Sequence, residues 1–314
     1  TATPTVPQER AFLSFEFASQ WMQPANETNF HLNRMLDGQI DKEDLLCLIR
    51  NWHSQRSQAD ELTITLPNLP AGAKPLEMVR IPAGTFMMGS EDGSDWSWCY
   101  PCEHLHEVTL SEDFYMGKYE VTVGHYTAFL RSTGDESGVD WGDSYCPLTR
   151  SGGDYLLRGN AFGQSWDQPM VEVSWYGAKA FADWLTQTQG ITFGLPTEAQ
   201  WEYACRAGTT TRFYFGDSNC AATGCTSCEL DNYAWWCGNN SPYGTKEVGQ
   251  LIPNAFGLYD MHGNVREWCQ DWWDEDYYLS SPSMDPQGPS SGSLRVIRGG
   301  RWGGYAQHCR SALR

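Results

Sequence analysis

Eleven cysteines, at 47, 99, 102, 146, 205, 220, 225, 228, 237, 269 and 309, are the residues here best able to do redox or soft-metal chemistry. An odd number leaves at least one thiol unpaired within the chain. So many cysteines fit an exported protein with some disulfides better than one in a reducing compartment. Cys99-Tyr-Pro-Cys102 and Cys225-Thr-Ser-Cys228 have a spacing used both for zinc and for local disulfides. The two pairs stand too far apart for a zinc ribbon, and Cys146, Cys220 and Cys237 compete as partners, so disulfide and metal both stay open. His104-Leu-His106-Glu107 places two imidazoles at i and i+2, which share a face on a strand. Seven scattered histidines without a ligand spacing are more often core or surface residues than metal ligands. Asp260 and Glu267 bracket the turn His262-Gly263-Asn264, which can aim two carboxylates and nearby carbonyls at one hard cation. The plainer use of those acids is to hydrogen-bond the turn.

The C-terminal stretch Arg295 to Arg314, RVIRGGRWGGYAQHCRSALR, has a different character. Arg295, Val296, Arg298, Gly299, Gly300, Trp302, Ala306, Cys309, Arg310, Ser311, Ala312 and Arg314 form a frame. Ile297, Arg301, Gly303, Gly304, Tyr305, Gln307, His308 and Leu313 lie between them with no pattern of their own. Neither strand alternation nor helical spacing fits these intervening positions, and the paired glycines require tight bends. A Gly-rich connection closing a β-rich domain would look the same.

The elements that must position these residues are short. Thirty-one glycines, fifteen tryptophans and fifteen tyrosines imply an aromatic core threaded by turns. With 21 Lys+Arg against 39 Asp+Glu the net charge is −18, which excludes a basic nucleic-acid surface. No run of eighteen apolar residues is present, so no membrane span is expected. The chain starts at Thr1 with no apolar leader core, consistent with a signal already removed.

Asp41 can cap a helix whose Leu45, Leu48, Ile49 and Trp52 share a face, and Phe12 to Met22 could form another. Residues 1–70 therefore read as a helical N-terminal extension, with the Pro-broken segment 66–75 as the domain boundary. Two apolar runs around Pro82-Ala83-Gly84 read as a hairpin. Val108 to Leu110 and Phe114 to Met116 read as strands, and Glu120-Val-Thr122 leads into a helix near 123–131. Ser174 caps a helix with Ala178, Phe181, Ala182 and Leu185 on one face. Thr197 and Gln200 have capping-box spacing before Trp201, Ala204 and Cys205, and Gly208 ends that helix. No helix is expected beyond it.

Four blocks in this order carry a resemblance: Met78 to Gly89 (MVRIPAGTFMMG), Leu195 to Ala204 (LPTEAQWEYA), Gly257 to Trp268 (GLYDMHGNVREW) and Arg298 to Trp302 (RGGRW). They resemble the formylglycine-generating-enzyme (sulfatase-modifying factor) domain over roughly 76–314. The resemblance implies an α+β fold, a variant of the C-type lectin fold with little regular secondary structure. It implies a structural calcium held by the side chains of Asp260 and Glu267 and the carbonyls of Gly263 and Val265. Authentic enzymes of the family bind copper with two cysteines shortly after the Gly-Gly-x-Trp/Tyr segment. Here that window, Gly303 to His308, has no thiol, and Cys309 matches a family cysteine outside the catalytic pair. No copper is therefore expected. A related branch, the iron-dependent sulfoxide synthases, uses His-x3-His-x-Glu, which His104 to Glu107 does not match. Family chains normally run on into a Gly-Phe-Arg-like motif, and this sequence stops at Arg314.

The frame RV-RGG-W---A--CRSA-R also resembles the variable region of proteins diversified by retroelements, many of which share this fold. In those systems template adenines are randomised. Ile297, Arg301, Gly303, Gly304, Tyr305, His308 and Leu313 are each reachable from AAC by changing its adenines, whereas Gln307 needs another template codon. The expectation is an exported bacterial, cell-surface or extracellular binding protein, with a lipid anchor on a missing N-terminal segment as one option. It would be non-catalytic and monomeric, and would take a protein or small-molecule ligand on those eight residues. Trp302 would be a fixed floor, and Gly303 and Gly304 would leave a shallow pocket. The alternative is a copper oxidase of the formylglycine-generating type, or its inactive relic.

Overall fold

The structure, a computed structural model, describes residues 60–90 and 101–314. The two helices expected within 1–59 lie outside the described residues. The architecture is α+β with few helices and several small antiparallel sheets, as expected. Strand β1 (Glu61–Ile64) pairs with β2 (Leu76–Ile81), which pairs on its other side with β5 (Phe114–Gly117). Segment 66–75 thus joins two strands of one sheet, with Leu66 and Leu76 both buried, and is not a linker between domains. The chain divides instead between Ser54 and Gln55.

The expected hairpin at Pro82 to Gly84 does not form. Strand β3 (Gly84–Met88) pairs with β4 (His106–Leu110), so the chain changes sheets at Pro82-Ala83. Asp113 fixes that change of direction by accepting from the Ala83 amide at 2.7 Å and pairing with Arg80. Strands β6 (Leu148–Ser151) and β7 (Asp154–Leu157) form a separate hairpin. Strand β8 (Glu267–Trp272) pairs with β9 (Arg295–Arg298), with an irregularity between Trp268 and Trp272.

The three α-helices among the described residues start where side chains satisfy their first amides. In α1 (Val123–Thr133), Thr122 and His125 make reciprocal capping bonds. Ser174 accepts from the Gly177 amide to open α2 (Trp175–Gln189). Thr197 and Gln200 form the expected capping box of α3 (Glu198–Arg206), which stops at a left-handed Ala207 just before Gly208. Beyond it only 3-10 turns occur, including Ala306–Cys309.

Helices α1 and α2 enclose one aromatic core through Tyr126, Phe129, Phe181 and Trp184, and β1, β2 and β6 add aliphatic side chains. A second core joins Phe213, Leu230 and Trp236 to Ala306 and Cys309, seating the C-terminal segment. A third joins Phe162, Val171 and Val265 to Trp302.

Candidate functional site

Strand β9 delivers the chain to Gly299 and Gly300, both at positive φ. At Gly300 a Cβ would meet the His308 carbonyl at 2.6 Å and the Cys309 sulfur at 2.9 Å, so only glycine lets the chain fold back here. The segment that follows is held at fixed points. The Trp302 amide donates to the Asn264 carbonyl (2.7 Å), the Cys237 amide to that of Gly304 (3.1 Å), and the Gln307 amide to that of Ala222 (3.2 Å).

The frame and intervening positions separate by burial. Val296, Arg298, Gly299, Gly300, Trp302, Ala306, Cys309, Arg310, Ser311, Ala312 and Arg314 are buried, and Arg295 is half-buried. Three frame arginines are paired inside the protein. Arg310 makes two bonds of 2.8 Å to Glu103, Arg298 pairs with Glu202, and Arg314 donates to Glu198 at 2.9 Å. Their Glu neighbours pull Arg298 and Arg314 above the ordinary guanidinium range, although burial alone would lower them. By contrast Arg301 and Tyr305 are exposed, and Ile297, Gly303, Gln307, His308 and Leu313 are half-exposed. Tyr305 stacks on His308 at 5.7 Å.

Gly304 departs from this division. It is buried, and a side chain there would meet the Arg301 carbonyl at 3.2 Å, so it shapes the turn more than it displays anything. Gly303 has nothing within 4 Å and does leave open space. Trp302, 6% exposed, is a floor as expected and meets Phe162 and Tyr145 edge-on.

Beside this segment the cation candidates converge with a partner that sequence reading missed. Glu120, just before α1, accepts from the Asn264 side chain (2.7 Å) and the Val265 amide (3.0 Å). Asp260, at positive φ, accepts from the Gly249 amide through one oxygen, and its other oxygen is buried without a partner. Burial, then the charges of Asp260 and Glu267, push Glu120 well above the carboxylate range. Burial likewise pushes Asp260 up to about 6. Glu267 retains some solvent contact, yet burial of its carboxyl and the nearby Asp260 push it up to about 7, against a Trp201 hydrogen bond. These are carboxylates short of positive charge.

A Cβ built on Gly299 would lie 3.5 Å from the Val265 carbonyl and 3.7 Å from a Glu267 oxygen, so both border the space beside this glycine. Among the described residues no three His, Cys, Asp or Glu side chains form a group that could hold a metal ion.

The cysteines divide cleanly. Cys220 bonds Cys228 and Cys225 bonds Cys237, so the second CxxC pair is neither a local disulfide nor a zinc knuckle. Cys102 is also disulfide-bonded. Cys205 and Cys309 are buried thiols pushed up to about 12 by burial, and Cys269 is pushed well above its ordinary value. Such thiols stay protonated and are poor soft-metal ligands or nucleophiles. His106 opens β4, where its ring meets Tyr278 edge-on at 4.6 Å, and His104 precedes it; among the described residues they join no metal cluster.

A cavity of about 450 Å³ lies against the same elements. Its lining includes Tyr145, Val171, Arg266, Trp268, Arg301 and Trp302, with Glu120 and Glu267 at the carboxylate cluster. Arg266 and Tyr145 were not singled out from sequence, because each is polar surface until the fold brings it to this mouth.

The chain is similar to proteins of one family in sequence and in fold. The formylglycine-generating enzyme of Streptomyces coelicolor is 32% identical over 267 residues, covering 74% of this chain and 80% of that protein. The solved structure of PvdO from Pseudomonas aeruginosa superposes with a TM-score of 0.63 at 32% identity, over 80% of this chain and 91% of that one. Treponema denticola variable protein 1 superposes with a TM-score of 0.58 at 28% identity, over the same shares. One scaffold therefore carries proteins named as enzymes and one named as a variable protein. Residues 66–314 match the sulfatase-modifying factor enzyme 1-like domain, and the chain belongs to that family.

Proposed function

We propose that this protein is a non-catalytic, ligand-binding variable protein that displays retroelement-diversified residues from a rigid scaffold. The observation that carries this reading is the burial division along residues 295–314. Frame residues pack inside and are paired, whereas Arg301, Tyr305 and most of their intervening companions reach solvent. Substitution at such exposed positions changes what is presented while costing little folding energy. The likeness to Treponema denticola variable protein 1 supports the same reading. The enzyme reading draws on the formylglycine-generating relatives. Against it stand the absence of a thiol between Gly303 and His308 and the burial of Cys309.

Asp260, Glu267 and the carbonyls of Gly263 and Val265 would hold a calcium ion that ties the turn to α1 through Glu120. Its contribution would be positive charge and rigidity, not chemistry on a substrate. The disulfides Cys220–Cys228 and Cys225–Cys237 support an exported, extracellular or surface setting.

The test is the genomic neighbourhood. The reading expects a near-copy of the 3′ end, with adenines at the codons for Ile297, Arg301, Gly303 to Tyr305, His308 and Leu313, beside a reverse transcriptase gene. Absence of the repeat, together with copper-dependent oxygen uptake on a cysteine peptide, would sink it.

A further inference from the structure

The described arginines are almost all engaged. Arg80, Arg131, Arg150, Arg206, Arg298, Arg310 and Arg314 pair with carboxylates. Arg158 donates to two carbonyls, and Arg295 stacks between Trp175 and Trp272 at 3.7 and 3.4 Å. Arg266 and Arg301 are different. Among the described residues neither guanidinium has an ion pair, a hydrogen bond or a ring contact, in a chain whose net charge is −18. Both line the cavity. Two guanidinium groups at one cavity with no carboxylate paired to either favour a ligand that supplies the countercharge.

The rest of the lining sets the kind of molecule. Tyr145, Trp268, Trp302, Met170, Val171 and Phe193 give aromatic and aliphatic walls, and Glu120, Glu172 and Glu267 also belong to the lining, so the oxyanion end must lie on the Arg266 and Arg301 side. Tyr243, 57% exposed, extends the aromatic surface through Phe162, which it meets edge-on at 6.2 Å. The Trp302 indole is buried among these walls and faces the Tyr243 hydroxyl. A volume of about 450 Å³ suits a small molecule and not a folded partner.

We propose that this cavity takes a small molecule with an oxyanion group, carboxylate or phosphate, on an apolar or aromatic body, and that Arg266 and Arg301 grip the oxyanion. The inference rests on the ligand-binding reading and narrows its ligand class. Paired guanidinium groups are suited to an oxyanion, which they can contact with several charge-assisted bonds. Arg266 lies outside the variable positions and supplies a constant anchor. Arg301 lies within them and tunes the grip from one diversified form to the next.

The test uses the full chain and matched probes: 3-phenylpropionate, indole-3-acetate, octanoate and phenyl phosphate, with the amides of the three carboxylates. Binding is read by saturation-transfer NMR and titration calorimetry. At least one oxyanion probe should bind. A carboxylate that binds should do so about tenfold or more tightly than its amide, since removing the charge removes the charge-assisted bonds. Arg266→Gln and Arg301→Gln should each weaken binding by a similar factor, while Arg266→Lys keeps part of it. Both side chains are exposed, so unchanged melting of these variants shows that folding is not the cause. Preference for phenyl phosphate over the carboxylates assigns the site to phosphoryl ligands. Equal binding of acid and amide, binding unchanged in both Gln variants, or no binding of any oxyanion probe at millimolar concentration would overturn the proposal. The display reading fails separately: Arg266-dependent oxyanion binding without a template repeat keeps the cavity and loses the diversification, and the reverse result does the opposite.

Discussion

Arg310 and Tyr305 belong to one short segment and make opposite demands on it. The Arg310 guanidinium is enclosed and meets both oxygens of an equally enclosed Glu103, whereas Tyr305 is 41% exposed. Removing one member of a buried pair strands the other charge. Arg310→Ala should therefore cost about 3–5 kcal/mol in chemical denaturation. Tyr305→Ala should stay within about 0.5 kcal/mol, the usual range for a surface change. Comparable losses in the two variants would remove the distinction between frame and display on which the functional proposal stands. The sequence marked Arg310 as frame and Tyr305 as variable, but could not say why. Glu103 lies 207 positions away, and no local pattern announces that it will be buried. Glu120 was missed for the same reason, being 144 positions from the Asn264 it binds. Asp260 and Glu267 were legible because one short turn carries both.

At the scale of elements, the three helix starts within the described residues were legible locally. Thr122, Ser174 and Thr197 each cap the helix expected after them, since capping is a contact between near neighbours in the chain. Strand partnership was not local. β2 takes its partners from β1 and β5, and β3 takes its partner from β4, so apolar runs around Pro82 to Gly84 looked like a hairpin only while the competing strands were out of view. The 220–237 loop shows how far a remote element controls the site. Its crossed disulfides fix the backbone that donates from Cys237 to Gly304 and accepts at Ala222 from Gln307. Replacing Cys220 and Cys228 together by Ser should cost about 2–4 kcal/mol, the usual worth of a disulfide. It should also speed amide exchange at Gln307 more than at Trp302, whose amide is held by Asn264. Equal protection in the variant and the parent chain would show that the loop does not brace the variable segment.

Over the whole molecule, negative charge is the dominant electrostatic fact. A chain at −18 that also encloses Glu120, Asp260 and Glu267 side by side carries local repulsion within general repulsion. The sign of the pH dependence follows from the raised values. In the metal-free protein these carboxyls hold protons that the unfolded chain would release, Asp260 up to about 6 and Glu267 up to about 7. Their stabilising contribution is complete below the ordinary carboxylate range and is lost as pH rises from there through about 7. Without calcium, the melting temperature should therefore fall from pH 5 to pH 8 on account of this cluster. Calcium bound at the proposed site should reverse the trend by taking the place of the protons, so its stabilisation should be large at pH 8 and small at pH 5, where protons compete for the same oxygens. Melting curves at both pH values, with excess calcium and with a chelator, separate the possibilities. Glu267→Gln should abolish most of the calcium-dependent rise at pH 8 while making the chelated protein less sensitive to pH, because it removes a ligand and a titrating charge together. Calcium stabilisation that is equal at both pH values would place the ion elsewhere on this acidic surface. No calcium effect at either pH would leave the turn held by its hydrogen bonds alone.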